Sequence, residues 1–259
     1  MAPKSMAMLA GEAALVTGAG NGIGRAMCHE LAAEGAKLFL VDLDASRLAA
    51  SLSALSDAGA EADGAVIDLS VAGSGVMAVE HALSRFGAIQ MLVHAASPPR
   101  SELDRWDVVS DETWDAMYRV NVSEGFHMAR HLAKDLITRS MPGRMLFVTS
   151  LHAATPRNLL HYSTSKSAML MLVKELARSL ARHGIRVNAL TPGAIAAGGF
   201  KPNPSLQAKI PMQRLGESAD VAAMGITLLI DRFSRYVTGS EILVDGGLGL
   251  YNWFDPHDN

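Results

Sequence analysis

Seven short apolar runs, separated by longer stretches of helical periodicity, limit this chain to very few architectures. The runs are ALVT (14–17), KLFLVD (37–42), DGAVID (63–68), MLVH (91–94), RMLFVTS (144–150), RVNALT (186–191) and EILVD (241–245). Each is close to continuously hydrophobic, which predicts strands buried on both faces rather than one-sided strands that alternate. Helical patterns fall at 23–34, 45–58, 71–86, 111–139, 162–183 and 218–230. The last has Ser218 as its predicted N-cap and Asp220 in its first turn. Strands alternating with helices build parallel βαβ units, so the expected class is α/β, a doubly wound sheet with helices on both faces. No linker, repeat or low-complexity segment divides the 259 residues, and one domain spanning 1–259 is expected. Residues 194–213, AIAAGGFKPNPSLQAKIPMQ, break the rhythm with two adjacent glycines and three prolines. A connection this long after the sixth strand predicts a lid over a pocket.

Composition removes several functions. A net charge of −3 and the lack of any Lys or Arg run argue against a nucleic-acid partner. The single cysteine, Cys28, excludes an internal disulfide framework and fits a reducing cytoplasm; its helical context predicts a packed thiol. The N-terminal MAPKSMAMLAGE has one Lys and a short apolar run, too little for a secretory signal. No apolar stretch reaches the roughly 20 residues that span a bilayer, so a cytoplasmic protein without membrane contact is expected.

The turn after the first strand reads T-G-A-G-N-G-I-G (17–24). The dinucleotide fingerprint G-x-G-x-x-G fails in every frame, because it would need glycine at Ile23, Arg25 or Met27. The context is nevertheless strand, glycine-rich turn, helix. Glycines let a backbone approach a pyrophosphate closely, and the helix N-terminus adds free N–H groups and partial positive charge.

Read as T-G-x-x-x-G-x-G, the stretch resembles the cofactor loop of the short-chain dehydrogenase/reductase family, and further motifs follow in order over nearly the whole chain. The resemblance implies a Rossmann-type domain with strand order 3-2-1-4-5-6-7. It makes Gly18, Gly22 and Gly24 the structural glycines and sets Asn21 and Ile23 against the cofactor. Y-S-T-S-K (162–166) is similar to the family's Y-x-x-x-K. Residues four apart share a helix face, so Tyr162 and Lys166 can meet one ligand. A phenol of pKa about 10 is a weak acid–base catalyst at neutral pH, and a nearby ammonium favours its ionised form. Ser150 in V-T-S-L-H matches the catalytic serine, although it precedes Tyr162 by 12 residues where the family commonly shows 13, a number that Thr149 would restore. A one-residue deletion within 151–161 accounts for this. Asn121 in RVNVSEG matches an asparagine that anchors a water on a proton path. Pro192 and Gly193 in TPGAI, with Ile195, match the turn beside the nicotinamide, and YVTGSEILVDGG matches the last-strand signature. HAAS (94–97) stands where the family usually shows N-N-A-G. There His94 is expected to be structural, while Ala95 still lines the cofactor.

Asp42 closes the second strand 24 residues after Gly18. A carboxylate there accepts hydrogen bonds from the adenosine ribose and repels a 2′-phosphate, and Asn21 sits where phosphate-binding relatives often carry Arg or Lys. NAD is therefore expected over NADP, with Leu43, Asp68 and Leu69 as further cofactor contacts by resemblance. The implied activity is hydride transfer between nicotinamide and the carbon of a secondary alcohol or ketone. Stretches around Ser150 look somewhat like those of glucose dehydrogenases in the family, which makes His152, Asn158 and His161 candidate contacts for a sugar or polyol. The alternatives are an NADPH-dependent 3-oxoacyl-[acyl-carrier-protein] reductase, which Asp42 argues against, and a non-catalytic NAD-binding sensor. HMARH (127–131) puts two histidines on one helix face, but without H-E-x-x-H or a third ligand no metal site is expected. No G-x-S-x-G surrounds any serine, so a hydrolase elbow is excluded. MLMLV (169–173) is apolar almost all round its helix. With the family's habit of packing such helices between subunits, this predicts a homotetramer or a homodimer. The aromatic tail LYNWFDPHDN (250–259) is a candidate to close a pocket.

Overall fold

The apolar runs become strands β1 (Ala13–Thr17), β2 (Lys37–Asp42), β3 (Ala62–Val66), β4 (Met91–His94), β5 (Gly143–Val148), β6 (Ile185–Pro192) and β7 (Glu241–Val244). The computed structural model of the chain describes residues 7–101, 104–197 and 204–250. All seven strands are parallel in one sheet of order β3-β2-β1-β4-β5-β6-β7. The order reverses between β1 and β4, and there the strand ends open a crevice suited to a ligand. Thr17 pairs with His94, and His94 with Phe147, so the C-terminal ends of β1, β4 and β5 lie level.

Successive residues face opposite sides, as the period of two requires. Leu15, Val41, Leu92 and Phe147 join one core, while Val16, Leu40, Val93 and Leu146 join the other. The first core lies under helices α3 (Ser74–Phe86), α5 (Gly125–Thr138) and α6 (Leu160–Leu180); the second lies under α1 (Gly22–Ala33), α2 (Ala45–Asp57) and α8 (Ser218–Leu229). Burial on both faces holds for the central strands only. At the sheet edges β3 and β7 are half-exposed, because each has a neighbour on one side alone. Met171 is likewise exposed, so α6 is not buried on every apolar side in the single chain. Cys28 is fully buried, and that burial pushes its thiol pKa up.

Two predicted elements differ. α8 is capped by extended Glu217 rather than by Ser218, which is already helical; Asp220 reaches back to accept from the Glu217 N–H at 2.9 Å. The helix predicted across 111–139 is three pieces: α4 (Asp111–Tyr118), a π-helical turn (Arg119–Glu124) and α5. Such turns occur frequently at functional sites.

This π turn is pinned from several sides. Buried Glu124 accepts from the Gly73 and Gly75 N–H groups at 3.3 and 2.9 Å. It thereby caps α3, whose N-cap Gly73 has no side chain to do so. His94 holds the other side, with Nε2 3.1 Å from the Val120 carbonyl and Nδ1 2.9 Å from the Thr17 hydroxyl. A carbonyl only accepts, so Nε2 carries the hydrogen and Nδ1 accepts from Thr17. The Thr17 oxygen in turn accepts from the Ala96 N–H at 3.3 Å. One ordered chain therefore ties the loop after β4, the end of β1 and the π turn through His94.

Burial, with a smaller contribution from the Lys166 charge, pushes the His94 pKa down from 6.5 to about 4. Because the folded value lies below the unfolded one, the unfolded chain alone takes up a proton between those limits, and stability falls as pH drops through that window. The expected loss is roughly 2 kcal/mol between pH 7 and pH 4.5. Urea melts at the two pH values should show His94→Asn losing markedly less than the wild type; equal losses would contradict this role.

Candidate active site

The glycine turn joins β1 to α1. Gly24 sits so close beneath it that a Cβ there would lie 2.1 Å from the Gly18 carbonyl oxygen, which no side chain survives. Asn21 caps α1 by accepting from the Gly22 N–H at 2.7 Å, and no acidic residue occupies the helix's first turn. The sequence reading passes over Gly20. Its N–H donates to Asp42 Oδ2 at 2.8 Å, and a Cβ on Gly20 would meet that carboxyl carbon at 2.8 Å. The other carboxylate oxygen accepts from the Asp44 N–H at 3.0 Å. Asp42 is thus fixed against the loop with lone pairs to spare, since each oxygen can accept twice. The signal for Gly20 was its glycine at a position the family pattern leaves free.

The other proposed cofactor contacts border this loop unevenly. Ile23 and Ala95 are half-buried beside the second core. Leu43 is exposed. Strand β3 ends at Val66, so Asp68 and Leu69 lie beyond it rather than closing it; Asp68 makes a turn by accepting from the Ser70 N–H at 2.8 Å. The Leu69 side chain is buried in the core, which leaves its main chain to meet a ligand. Pro192 ends β6, and the Gly193 N–H donates to the Val244 carbonyl at 3.0 Å. Ile195 bridges to Gly216. Ala197 comes within 3.7 Å of the point where a Gly22 Cβ would sit, so this segment crosses the mouth of the glycine turn. The predicted lid therefore has its two ends tied by the Ala196 N–H to Gly216 carbonyl and Gly216 N–H to Ala194 carbonyl bonds, at 2.8 and 3.0 Å. Helix α7 (Pro204–Gln207) lies within the lid, while 198–203 and the tail from 251 lie outside the described residues.

On the far side of β4, Ser150 and Thr149 part company. Thr149 turns into the sheet, with its hydroxyl 2.7 Å from that of Thr191 and 3.2 Å from the Leu190 carbonyl. Ser150 caps the 3₁₀ turn Leu151–Ala153 by accepting from the His152 N–H at 3.2 Å, and its own hydrogen remains free to donate. That turn packs on α6, which carries Tyr162 and Lys166 one turn apart, both buried. Lys166 Nζ donates to the Val148 carbonyl at 2.9 Å and lies 5.7 Å from the centre of the Tyr162 ring. Among the described residues no carboxylate pairs with it. Burial above all, then the charge of Arg100, brings the Lys166 pKa down from 10.5 to about 7.

Asn121 projects from the π turn into the same region. Its amide donates to Ser165 Oγ at 3.0 Å and to Met117 Sδ at 3.1 Å, and Ser165 donates on to the Tyr162 carbonyl at 2.8 Å. Its Oδ1 is buried with no partner among the described residues, an arrangement that favours an added water or hydroxyl. Two residues here escaped the sequence reading: Ser165, hidden as an x in Y-x-x-x-K, and Arg100, whose guanidinium stacks 4.2 Å over the Tyr162 ring.

The three substrate candidates separate. His152 lies edge-on to Tyr162, with ring centres 6.4 Å apart and Nδ1 3.1 Å from the Thr155 carbonyl. Asn158 is exposed with φ of 63°, a left-handed turn position that suits asparagine. His161 is fully buried, its Nε2 3.7 Å from Asp104, and desolvation lowers its pKa. Of the HMARH pair, His127 faces Glu124 at 3.2 Å and His131 faces Glu80 at 3.8 Å, so the two serve separate carboxylates.

These residues fit a dinucleotide. The glycine cradle leaves room for backbone to meet phosphate, α1 offers an N-terminus without an acid, Asp42 has free acceptor capacity, and Lys166 is a buried cation facing no carboxylate. Among the described residues no helix is long and apolar enough to cross a membrane.

Comparison with known proteins agrees. A family model described as Enoyl-(Acyl carrier protein) reductase matches residues 18–249. The chain is 32% identical to Glucose 1-dehydrogenase 2 of Bacillus subtilis, over 94% of its own length and 96% of the relative's. It is 32% identical to the L-rhamnose 1-dehydrogenase (NADP(+)) of Thermoplasma acidophilum, over 92% and 96%. Among solved structures it is similar to Levodione Reductase, with a TM-score of 0.88 and 27% identity over 94% of this chain and 100% of that one. The glycine turn, the Tyr162–Lys166 pair and this match along almost the full chain lead to one conclusion: the protein belongs to the short-chain dehydrogenase/reductase family, and is an NAD(P)-dependent oxidoreductase acting on alcohol and carbonyl carbons.

Proposed function

We propose that the enzyme uses NAD(H) to interconvert a small polar secondary alcohol, of sugar or polyol size, and its ketone. The observation that supports the cofactor choice is Asp42 at the end of β2, held by the Gly20 and Asp44 N–H groups at the position whose carboxylate disfavours a 2′-phosphate in such folds. When bound, the nicotinamide ring supplies the hydride acceptor or donor. In oxidation, Tyr162 takes the hydroxyl proton as the carbinol carbon loses its hydrogen with the electron pair; in reduction it returns that proton to the oxygen. Ser150 donates a hydrogen bond to the substrate oxygen, its hydroxyl hydrogen being uncommitted while its oxygen accepts from the His152 N–H. In its protonated form Lys166 favours the ionised phenol, and its ammonium holds the ribose. The unpartnered Asn121 Oδ1 supports the water through which the proton leaves. His152 is the best placed of the three substrate candidates, being next to Tyr162. The segment 194–213, tied at its ends, serves as lid.

The relatives named as glucose and rhamnose dehydrogenases support the sugar-sized substrate. The apolar Met171 and Trp106, both largely exposed, support assembly into a homotetramer or homodimer, and the single cysteine supports a cytoplasmic site of action. The test is the rise of reduced-nicotinamide absorbance with NAD or NADP against sugars, polyols and simple secondary alcohols. Turnover with NAD at least tenfold above NADP is expected; activity with NADP alone would overturn the cofactor assignment and favour the acyl-carrier-protein reductase.

A further inference from the structure

The segment after β4 runs H-A-A-S-P-P-R, and its last residue changes the site. Pro98 and Pro99 stiffen the approach, since each ring fixes its own φ. They deliver Arg100, exposed itself, onto the face of the buried Tyr162, with Cζ 4.2 Å from the ring centre. Lys166 Nζ lies 5.7 Å from that same centre, so one phenol is flanked by two cations within cation–π range. Among the described residues no carboxylate pairs with Arg100. Asp104, the nearest acid in the same segment among the described residues, faces His161 instead. The guanidinium charge is felt at both neighbours, where it helps to lower the Lys166 and His161 pKa values. Among the described residues, the fork of donors laid over Tyr162 therefore has no carboxylate to balance it. A neutral hydroxyl can share a hydrogen bond with it but cannot balance its charge, whereas a carboxylate does both through two parallel bonds.

We propose that Arg100 anchors a carboxylate on the substrate, so that the alcohol oxidised here is a hydroxy acid and the ketone its oxo acid. This rests on the hydride-transfer reading above and narrows its substrate class. The reaction balances as before: the carbinol hydrogen leaves with its electron pair, the hydroxyl proton goes to Tyr162, and the carboxylate is unchanged.

Two measurements separate this from the reaction reading. The first is calorimetric titration of the NADH-saturated enzyme with butanoate, a carboxylate that cannot react. Binding is expected in the wild type and in Tyr162→Phe, weakened by about 10- to 100-fold in Arg100→Gln and partly restored in Arg100→Lys. Absent binding in the wild type, or equal affinity in Arg100→Gln, overturns the proposal whatever the turnover. The second is the ratio of kcat/KM for 3-hydroxybutanoate to that for its methyl ester, which share one carbinol and differ in charge. Arg100→Gln should lower that ratio by at least tenfold, chiefly through KM for the acid. An unchanged ratio contradicts the anchor, while Arg100-dependent butanoate binding without turnover on any alcohol would keep the anchor and refute the hydride transfer.

Discussion

Replacing Tyr162 by Phe should lower kcat by about 10³-fold or more, while leaving NADH affinity within a few fold. The substitution removes one hydroxyl and nothing else. The ring stays packed against Met117 and Leu159, so the fold has no reason to open. What disappears is the group that carries the proton, and positioned acid–base groups contribute roughly 10²- to 10⁴-fold. No neighbour can replace it. The Ser150 hydroxyl meets only the His152 N–H, a donor that takes up no proton, Asn121 is an amide, and Lys166 is anchored to the Val148 carbonyl. Steady-state kinetics with NADH fluorescence titration separates the two effects. A variant that keeps kcat within tenfold of the wild type would mean the proton travels elsewhere.

The second large effect is expected at Asp42. Its carboxylate is fixed by two backbone N–H groups, so it cannot swing away from an incoming 2′-phosphate. Two like charges about 4 Å apart near a protein surface repel by roughly 4 kcal/mol, and solvent and side-chain adjustment take back part of that. Asp42→Ala should therefore reduce the ratio of kcat/KM for NAD to that for NADP by about 100-fold. Part of the change is lost NAD affinity, because the ribose loses its acceptor; part is gained NADP affinity, because the repulsion is gone. The variant also frees the Gly20 N–H, so some loosening of the glycine turn accompanies the switch. A ratio that does not move would show that another residue reads the ribose.

The sequence is informative wherever structure is local. Continuous apolar runs mark the central strands because each is buried on two faces, and the same rule overstates β3 and β7 because edge position is a property of the sheet, not of the run. Gly24 and the Tyr162–Lys166 pair are legible because contact at short spacing leaves a fixed pattern of residue types. The π turn is not legible: one extra residue per turn barely disturbs a pattern of mixed apolar positions, and its cause lies in Glu124 capping α3 and His94 holding Val120, contacts made across the fold. The His94 chain joins Thr17, Ala96 and Val120, residues up to about a hundred positions apart. Arg100 was missed for the same reason, since nothing near it in the chain announces a tyrosine 62 residues later. Asn158 was singled out for its polarity, yet its left-handed φ gives it a backbone reason to be there.

The central claim is that hydrogen passes directly from a carbinol carbon to nicotinamide at the Tyr162 site. The most direct test runs the NAD assay with a turned-over alcohol carrying deuterium on its carbinol carbon, and then weighs the reduced cofactor. Stoichiometric deuterium in the NADH, with a slowed rate and no transfer in Tyr162→Phe, is the expected result. Reduced cofactor without deuterium, or undiminished transfer in the variant, would contradict it.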